Sequence, residues 1–460
     1  MVSVKKNQMD MCHGPLLSKI IIFAVPLMLA NVATMMFTAA DLVVLGHFAD
    51  SSSMAAVGAA PSFTTLLLNL FWGISAGVNV LVARFIGAKD KKNLSKTIHT
   101  AVAVGCYGGV FMGLLGILVS HTVLKWMDVP DNIIDKATLY MQIWCIGVPF
   151  MILFSFGSAI MRSIGDTKRP FFYMVVAGIV NVLLNLIAVI VFKMDVAGVA
   201  VATTASNAVS AGLTFRYLAK FGGDCTVKLK KVRISWNILR EMLRIGIPAG
   251  VQGMMFSISN VIIQSTLNSF GWQAMAGSTA ALSIEGMVHA TFTAFVLAVV
   301  SFVGQNHGAQ KYKRIMKSIR LCLASTATMA IVLTVFVLIF KRPLLAIFNP
   351  DPVVIEWGCI RMNYQFTFYV LLGLMEVVSG ALRGLGYTFW PTIVTLLGAC
   401  VFRVIWVFTI FPYFKSLENL MLSYPVSWGI VTSINGFMLF TICRRMLRNA
   451  SRKKFDDLSV

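Results

Sequence analysis

Long apolar stretches recur along this chain from end to end, and no other feature constrains its fold as much. A hydrocarbon core about 30 Å thick is crossed by roughly 20 apolar residues in a helix. Twelve stretches of that kind can be drawn, near residues 20–46, 54–83, 100–124, 138–161, 170–192, 196–218, 245–269, 275–303, 319–340, 359–382, 390–412 and 420–443; they are numbered here as spans 1 to 12. Composition agrees, because 460 residues with 58% apolar content, 12% charged content and a mean hydropathy of +0.80 fall outside the range of soluble domains. The expectation is an all-α integral membrane protein with 12 transmembrane helices. The first stretch is too long for a signal-peptide core and no small-residue cleavage pattern closes it, so it reads as a retained helix.

A net charge of +21 would suit a nucleic-acid binder until the basic residues are placed. With the N-terminus in the cytoplasm, the segments on that side hold 31 of the 39 Lys and Arg residues and the opposite side holds seven. The remaining one, Arg403, falls inside span 11. Short basic loops set orientation, so both termini are expected in the cytoplasm and no nucleic-acid partner is expected. The eight cysteines (Cys12, Cys106, Cys145, Cys225, Cys322, Cys359, Cys400 and Cys443) are scattered, with neither a CxxC pair nor a disulfide framework. They read as reduced packing residues.

Sliding the chain against itself by about 221 residues brings two segments into coincidence. Ala83-Arg-Phe-Ile-Gly-Ala-Lys-Asp-Lys-Lys92 lies over Gly304-Gln-Asn-His-Gly-Ala-Gln-Lys-Tyr-Lys313, matching Gly87 with Gly308, Ala88 with Ala309 and Lys92 with Lys313. Arg162-Ser-Ile-Gly-Asp-Thr-Lys-Arg-Pro170 lies over Arg383-Gly-Leu-Gly-Tyr-Thr-Phe-Trp-Pro391, sharing Arg, Gly, Thr and Pro. One residue of slippage pairs Pro26 with Pro248. Each half holds an even number of spans, so the copies enter the membrane from the same side, as parallel repeats, an arrangement common in secondary transporters. The expected organisation is an N-terminal six-helix lobe over 1–218, a cytoplasmic linker over 219–243 and a C-terminal six-helix lobe over 244–460.

A charged residue at the centre of a membrane helix costs about 2.5 to 3.5 kcal/mol, so each needs a reason. Asp41 in span 1, Glu285 in span 8, Glu376 in span 10 and Arg403 in span 11 stand out. Asn31, Thr34, Thr38 and Asp41 share one helical face by their spacing. Asn181 and Asn185 in span 5, and Thr203, Asn207 and Ser210 in span 6, form similar stripes in the same half. Hard oxygen donors of this kind suit Na⁺, with Asp41 as its metal ligand, while a carboxylate in low dielectric could instead carry a proton. In the second half, Glu376 has Arg403 on the next span as an expected partner. Glu285 has no cation nearby in sequence, and Asn260 and Gln264 add polar groups to span 7. A substrate cavity is therefore expected around Asn31, Thr34, Thr38, Asn260, Gln264, Glu285, Glu376 and Arg403.

These residues resemble a known family, the bacterial multidrug and toxic compound extrusion (MATE) transporters, in particular the DinF-like and MepA-like members. The resemblance covers nearly the whole chain. It rests on Pro26 with Asp41 downstream, the Ala83-Arg-Phe-Ile-Gly-Ala88 loop, Arg162 to Pro170, Asn181-Val-Leu-Leu-Asn185, and Phe302-Val-Gly-Gln-Asn306 followed by Gly308-Ala309. It implies a V-shaped pair of six-helix bundles that exports cationic or amphipathic compounds in exchange for inward Na⁺ or H⁺. It also implies a cation-coupling site at Asp41, Asn181, Asn185 and Thr203. This sequence departs from the DinF-like pattern in carrying Asn185 where an acid is expected, so one carboxylate remains. No cofactor beyond the coupling ion is implied, and the chain is expected to act as a monomer in a bacterial plasma (inner) membrane. Two other readings compete. A lipid-linked oligosaccharide flippase of the same superfamily would want a more cationic cavity than Arg403 provides. A membrane-embedded enzyme would want a concentrated catalytic set, and His289 and His307 lie 18 residues apart without a zinc pattern.

Overall fold

The computed structural model describes residues 9–48, 56–58, 61–127 and 129–456. Lys5, Lys6 and the expected start of span 2 lie outside the described residues. Within them the regular structure is helical, without a strand, and eleven helices are long and apolar enough to cross a membrane. A twelfth crossing is a broken one. Pro352–Thr367 and Tyr369–Gly384 meet at 49° and together satisfy the same test.

The first half runs α1 (Leu16–Phe48), α2 (Pro61–Gly87), α3 (Lys91–Trp126), α4 (Asp131–Ile164), α5 (Lys168–Leu186) and α6 (Asp195–Lys220). The second runs α7 (Trp236–Asn268), α8 (Trp272–Gly308), α9 (Tyr312–Ile339), a short α10 (Lys341–Ala346), α11 (Pro352–Thr367), α12 (Tyr369–Gly384), α13 (Phe389–Thr395), α14 (Phe402–Thr409) and α15 (Leu417–Asp456). The fifth span of each half contains one π-helical segment, Ile187–Val191 after α5 and Leu396–Val401 between α13 and α14. Several helices overrun their apolar stretches. α3 starts nine residues before residue 100, with Asp90 capping it by accepting from the Asn93 amide at 3.0 Å, so Lys91, Lys92 and Lys96 stand on a helix rather than in a loop.

The chain divides into two compact units, one holding Val25–Gly250 and the other Met11–Ala24 with Val251–Val460. Both divisions fall inside helices and beside prolines. α1 changes unit just before Pro26, and α7 changes unit just after Pro248. A proline inside a helix removes one amide donor and crowds the preceding turn, so it is a natural place for a helix to bend.

Glycine explains why the first half of α7 packs with the first unit. A Cβ on Gly73 would fall 2.6 Å from Cα of Gly250, and one on Gly246 would fall 2.5 Å from Cα of Ile74. α2 and α7 therefore cross with their backbones in contact, which only residues without side chains allow. In the second unit, Met11 to His13 are held by α8 and α9. The Met11 carbonyl accepts from Nδ2 of Asn306 (3.2 Å) and Nε of Arg314 (3.1 Å), and Nζ of Lys311 donates to the Cys12 carbonyl (3.0 Å). Asn306 belongs to the Phe302–Asn306 motif, whose work here is to anchor that segment.

Candidate functional site

In the first unit, three helices bring a polar pocket together. α5 carries Asn181 and Asn185 one turn apart on its inner face, 5% and 0% exposed. α6 presents Thr203, and α1 presents Asp41, half-buried. Nδ2 of Asn185 donates to Oδ1 of Asp41 and also reaches Oδ1 of Asn181 at 3.4 Å. Nδ2 of Asn181 in turn donates to Oγ1 of Thr203 at 3.3 Å. The result is one connected row, Asp41–Asn185–Asn181–Thr203.

Within this row, Oδ1 of Asn185 is buried and accepts no hydrogen bond. A buried, unsatisfied carbonyl oxygen costs about 1 to 3 kcal/mol, so it calls for a donor or a cation. The row as a whole offers a carboxylate, two amide oxygens and a hydroxyl, all hard oxygen ligands suited to a small alkali cation. The donor set therefore fits such a cation, with Asp41 as its one carboxylate. Tyr140 on α4, which no motif or spacing singles out, lies within electrostatic range of Asp41. Close packing sets α1 against α5, since the place where Gly178 would carry a Cβ is taken by the ring of Phe37.

The rest of the α1 stripe does other work. Thr34 and Thr38 return their hydroxyls to the carbonyls of Ala30 (3.0 Å) and Thr34 (3.1 Å), and Thr34 also touches Sδ of Met174 at 3.1 Å. Together with Asn31 they continue the polar face of α1 away from Asp41.

The second unit departs from expectation in its charge pairing. Glu285 on α8 does have a cation, Arg361 on α11, which it meets in a two-pronged ion pair (2.8 and 3.0 Å) with both side chains under a tenth exposed. Nη1 of Arg361 also donates to Ser278 (2.8 Å), and the hydroxyl of Tyr369 donates to the backbone carbonyl of Glu285 (3.0 Å). This fully satisfied cluster ties α8, α11 and α12 together in the core. Arg361 is one of the seven basic residues that the charge count assigns to the outer side; it is buried within Pro352–Thr367, the first arm of the broken span.

Glu376 pairs with His289, whose Nε2 lies 3.3 Å from its carboxylate, and not with Arg403. Arg403 instead stacks on Tyr424 (4.1 Å) and donates from Nε to Ser427 (2.9 Å), both on α15. The turn of the π segment just before α14 aims it there. On α7, Gln264 hydrogen-bonds Asn268 of its own helix (3.2 Å) and Asn260 is exposed on the helix surface.

Among the described residues, eleven apolar helices and one broken crossing, in two repeated halves with a hard-oxygen pocket inside one of them, define a polytopic membrane protein. The MatE family model matches residues 26–187 and 248–409, one segment in each half, and the chain belongs to that family. The chain is 24% identical over 418 residues to the probable multidrug resistance protein YoeA of Bacillus subtilis, covering 89% of this chain and 90% of the relative. It is 26% identical over 421 residues to the probable multidrug resistance protein NorM of Thermotoga maritima, covering 90% of each. Among solved structures, the crystal structure of MATE in the bent conformation superposes with a TM-score of 0.89 at 19% identity, covering 96% of this chain and 98% of that one. At that identity the likeness establishes the two-repeat MATE fold.

Proposed function

We propose that this protein is a secondary active antiporter of a bacterial plasma membrane, with both termini in the cytoplasm, exporting cationic or amphipathic compounds in exchange for inward Na⁺ or H⁺. The single observation that carries the coupling role is the row Asp41–Asn185–Asn181–Thr203, with its one carboxylate and its buried, unsatisfied Asn185 oxygen. Relatives named as multidrug resistance proteins support the substrate class. The energetics suffice with one charge: a cation moving inward releases about 2.3 kcal/mol per 100 mV, enough for roughly a fiftyfold solute gradient. In this reading Asn31, Thr34 and Thr38 of the first unit, and Glu376, Asn260 and Gln264 of the second, are candidate substrate contacts. Glu285 and Arg403 are structural in the same reading, because Glu285 closes on Arg361 and Arg403 on Tyr424 and Ser427.

The test is transport by the purified protein in proteoliposomes, with Na⁺ and H⁺ gradients imposed separately and ethidium as the probe. One of the two gradients is expected to drive ethidium out of its compartment, and Asp41→Asn to abolish that drive while leaving expression and insertion intact. Gradient-driven ethidium movement at the normal rate in Asp41→Asn would remove Asp41 from the mechanism.

A further inference from the structure

The segment between α6 and α7, expected only as a linker, is a folded strap. Phe221, Cys225 and Val227 are buried, and the Val227 amide donates to the Leu218 carbonyl at 3.1 Å. Hydrogen bonds from backbone amides fasten the strap to α3. The Lys228 amide donates to Nε2 of His99 (3.0 Å), and the Ser235 amide donates to Oγ1 of Thr100 (3.1 Å). His99 is 3% exposed, with Nδ1 at 2.7 Å from the Ser95 carbonyl. A ring that accepts at Nε2 and faces a carbonyl at Nδ1 is the neutral Nδ1–H form with both nitrogens used.

Between the strap and the start of α3 lies a basin of about 1020 Å³, at the upper end of the roughly 300 to 1,000 Å³ of small-ligand pockets. α3 lines it with Lys91, Lys92 and Lys96, and the strap with Lys228, Lys230 and Lys231, all exposed. Arg233 extends the same rim. The one carboxylate in the lining, Asp224, is already 3.2 Å from Lys91. So many like charges around one hollow repel each other and gather anions. Position selects among anions. The basin sits at the ends of α3, α6 and α7, on the face that carries the basic loops, and is flanked by two outward apolar side chains, Leu229 (84% exposed) and Trp236 (75% exposed). Aliphatic and indole groups beside lysines suit the boundary between headgroups and acyl chains.

We propose that this basin binds the phosphate-bearing headgroup of an anionic phospholipid of the inner leaflet, with Lys228, Lys230 and Lys231 as its principal contacts. The strap then holds the first unit's basic end to the membrane surface, whichever ion drives transport. The test titrates the full-length protein in neutral detergent with fluorescent phosphatidylglycerol, with phosphatidylcholine of the same chain length, and with glycerol 3-phosphate. Phosphatidylglycerol is expected to bind much more tightly than the other two. The triple variant Lys228→Gln, Lys230→Gln, Lys231→Gln should bind it on the order of a hundredfold more weakly, about fivefold per charge. A matched variant at the other end of the chain, Arg444→Gln, Arg445→Gln, Arg448→Gln, should bind as the parent does, and both variants should keep the parent's unfolding temperature without lipid. Equal weakening in the two variants would overturn the proposal in favour of a bulk charge effect. Equal affinity for phosphatidylcholine would remove the phosphate selectivity, and equal affinity for glycerol 3-phosphate would replace the lipid with a soluble phosphate.

Discussion

At the scale of single residues, the two halves put buried polarity to opposite uses. The first leaves an amide oxygen of Asn185 unsatisfied beside Asp41; the second gives each of the three guanidinium nitrogens of Arg361 a partner. Such a closed pair is costly to break and cheap to replace. Arg361→Met alone should destabilise the protein by about 3 to 5 kcal/mol by leaving Glu285 buried without its cation, whereas Glu285→Leu with Arg361→Met should be close to neutral. Thermal unfolding of the two single variants and the double variant measures this; a double variant as unstable as the singles would mean the pair contributes more than mutual compensation. The sequence made the Asp41 pocket legible because Asn181 and Asn185 repeat at one helical turn and because the family resemblance joins them to Thr203. It gave no handle on Arg361 or His289, whose partners lie 76 and 87 residues away and are chosen by how α8, α11 and α12 pack. The mistaken pairing of Glu376 with Arg403 came from adjacency in sequence, which says nothing about the direction a side chain takes around a helix.

At the scale of elements, the number, order and repeat of the spans were readable because a hydrophobic period sustained for 20 residues has one interpretation in lipid. What lay between them was not. The strap reads as polar loop in sequence, since its order depends on a buried histidine 129 residues away. Replacing His99 with Ala removes the acceptor of the Lys228 amide and should free the strap. Cys225 reports on it: burial, aided by the nearby Asp224, pushes its thiol up to about 12, so the nucleophilic thiolate is nearly absent at neutral pH. Maleimide labelling of Cys225 at pH 7, read by peptide mapping, should be negligible in the parent and rise severalfold or more in His99→Ala. Unchanged labelling would mean that the Thr100–Ser235 hydrogen bond and the buried Phe221 and Val227 hold the strap without the histidine. The π segments were equally hidden, for they add one residue to a turn without any compositional mark. In the first half the segment begins two residues after Asn185, so the helical phase shifts directly beyond the pocket residues of α5.

At the scale of the whole molecule, the proposed orientation rests on charge asymmetry and the repeat together: an even number of crossings returns the chain to the side on which it began. A fluorescent protein that matures only in the cytoplasm, fused after Val460, should fluoresce in cells, and a dark but inserted fusion would reverse the assignment of sides. The repeat also survives unevenly. Asp166, Arg169 and Tyr217 form an ion-paired cluster with the Arg169 guanidinium 4.3 Å above the tyrosine ring, yet the matching loop of the second half reads Tyr387-Thr-Phe-Trp390 and holds no such cluster. Duplication preserved the turn, and its charges then diverged.

The exchange of helix halves at Pro26 and Pro248 decides where the chain could be divided. Each compact unit contains the opening stretch of the other half's first helix, and the trade is reciprocal. A cut in the strap between Lys220 and Trp236 would therefore leave each fragment holding a helix stretch that belongs to the other fragment's unit, so that neither unit could be complete without both pieces.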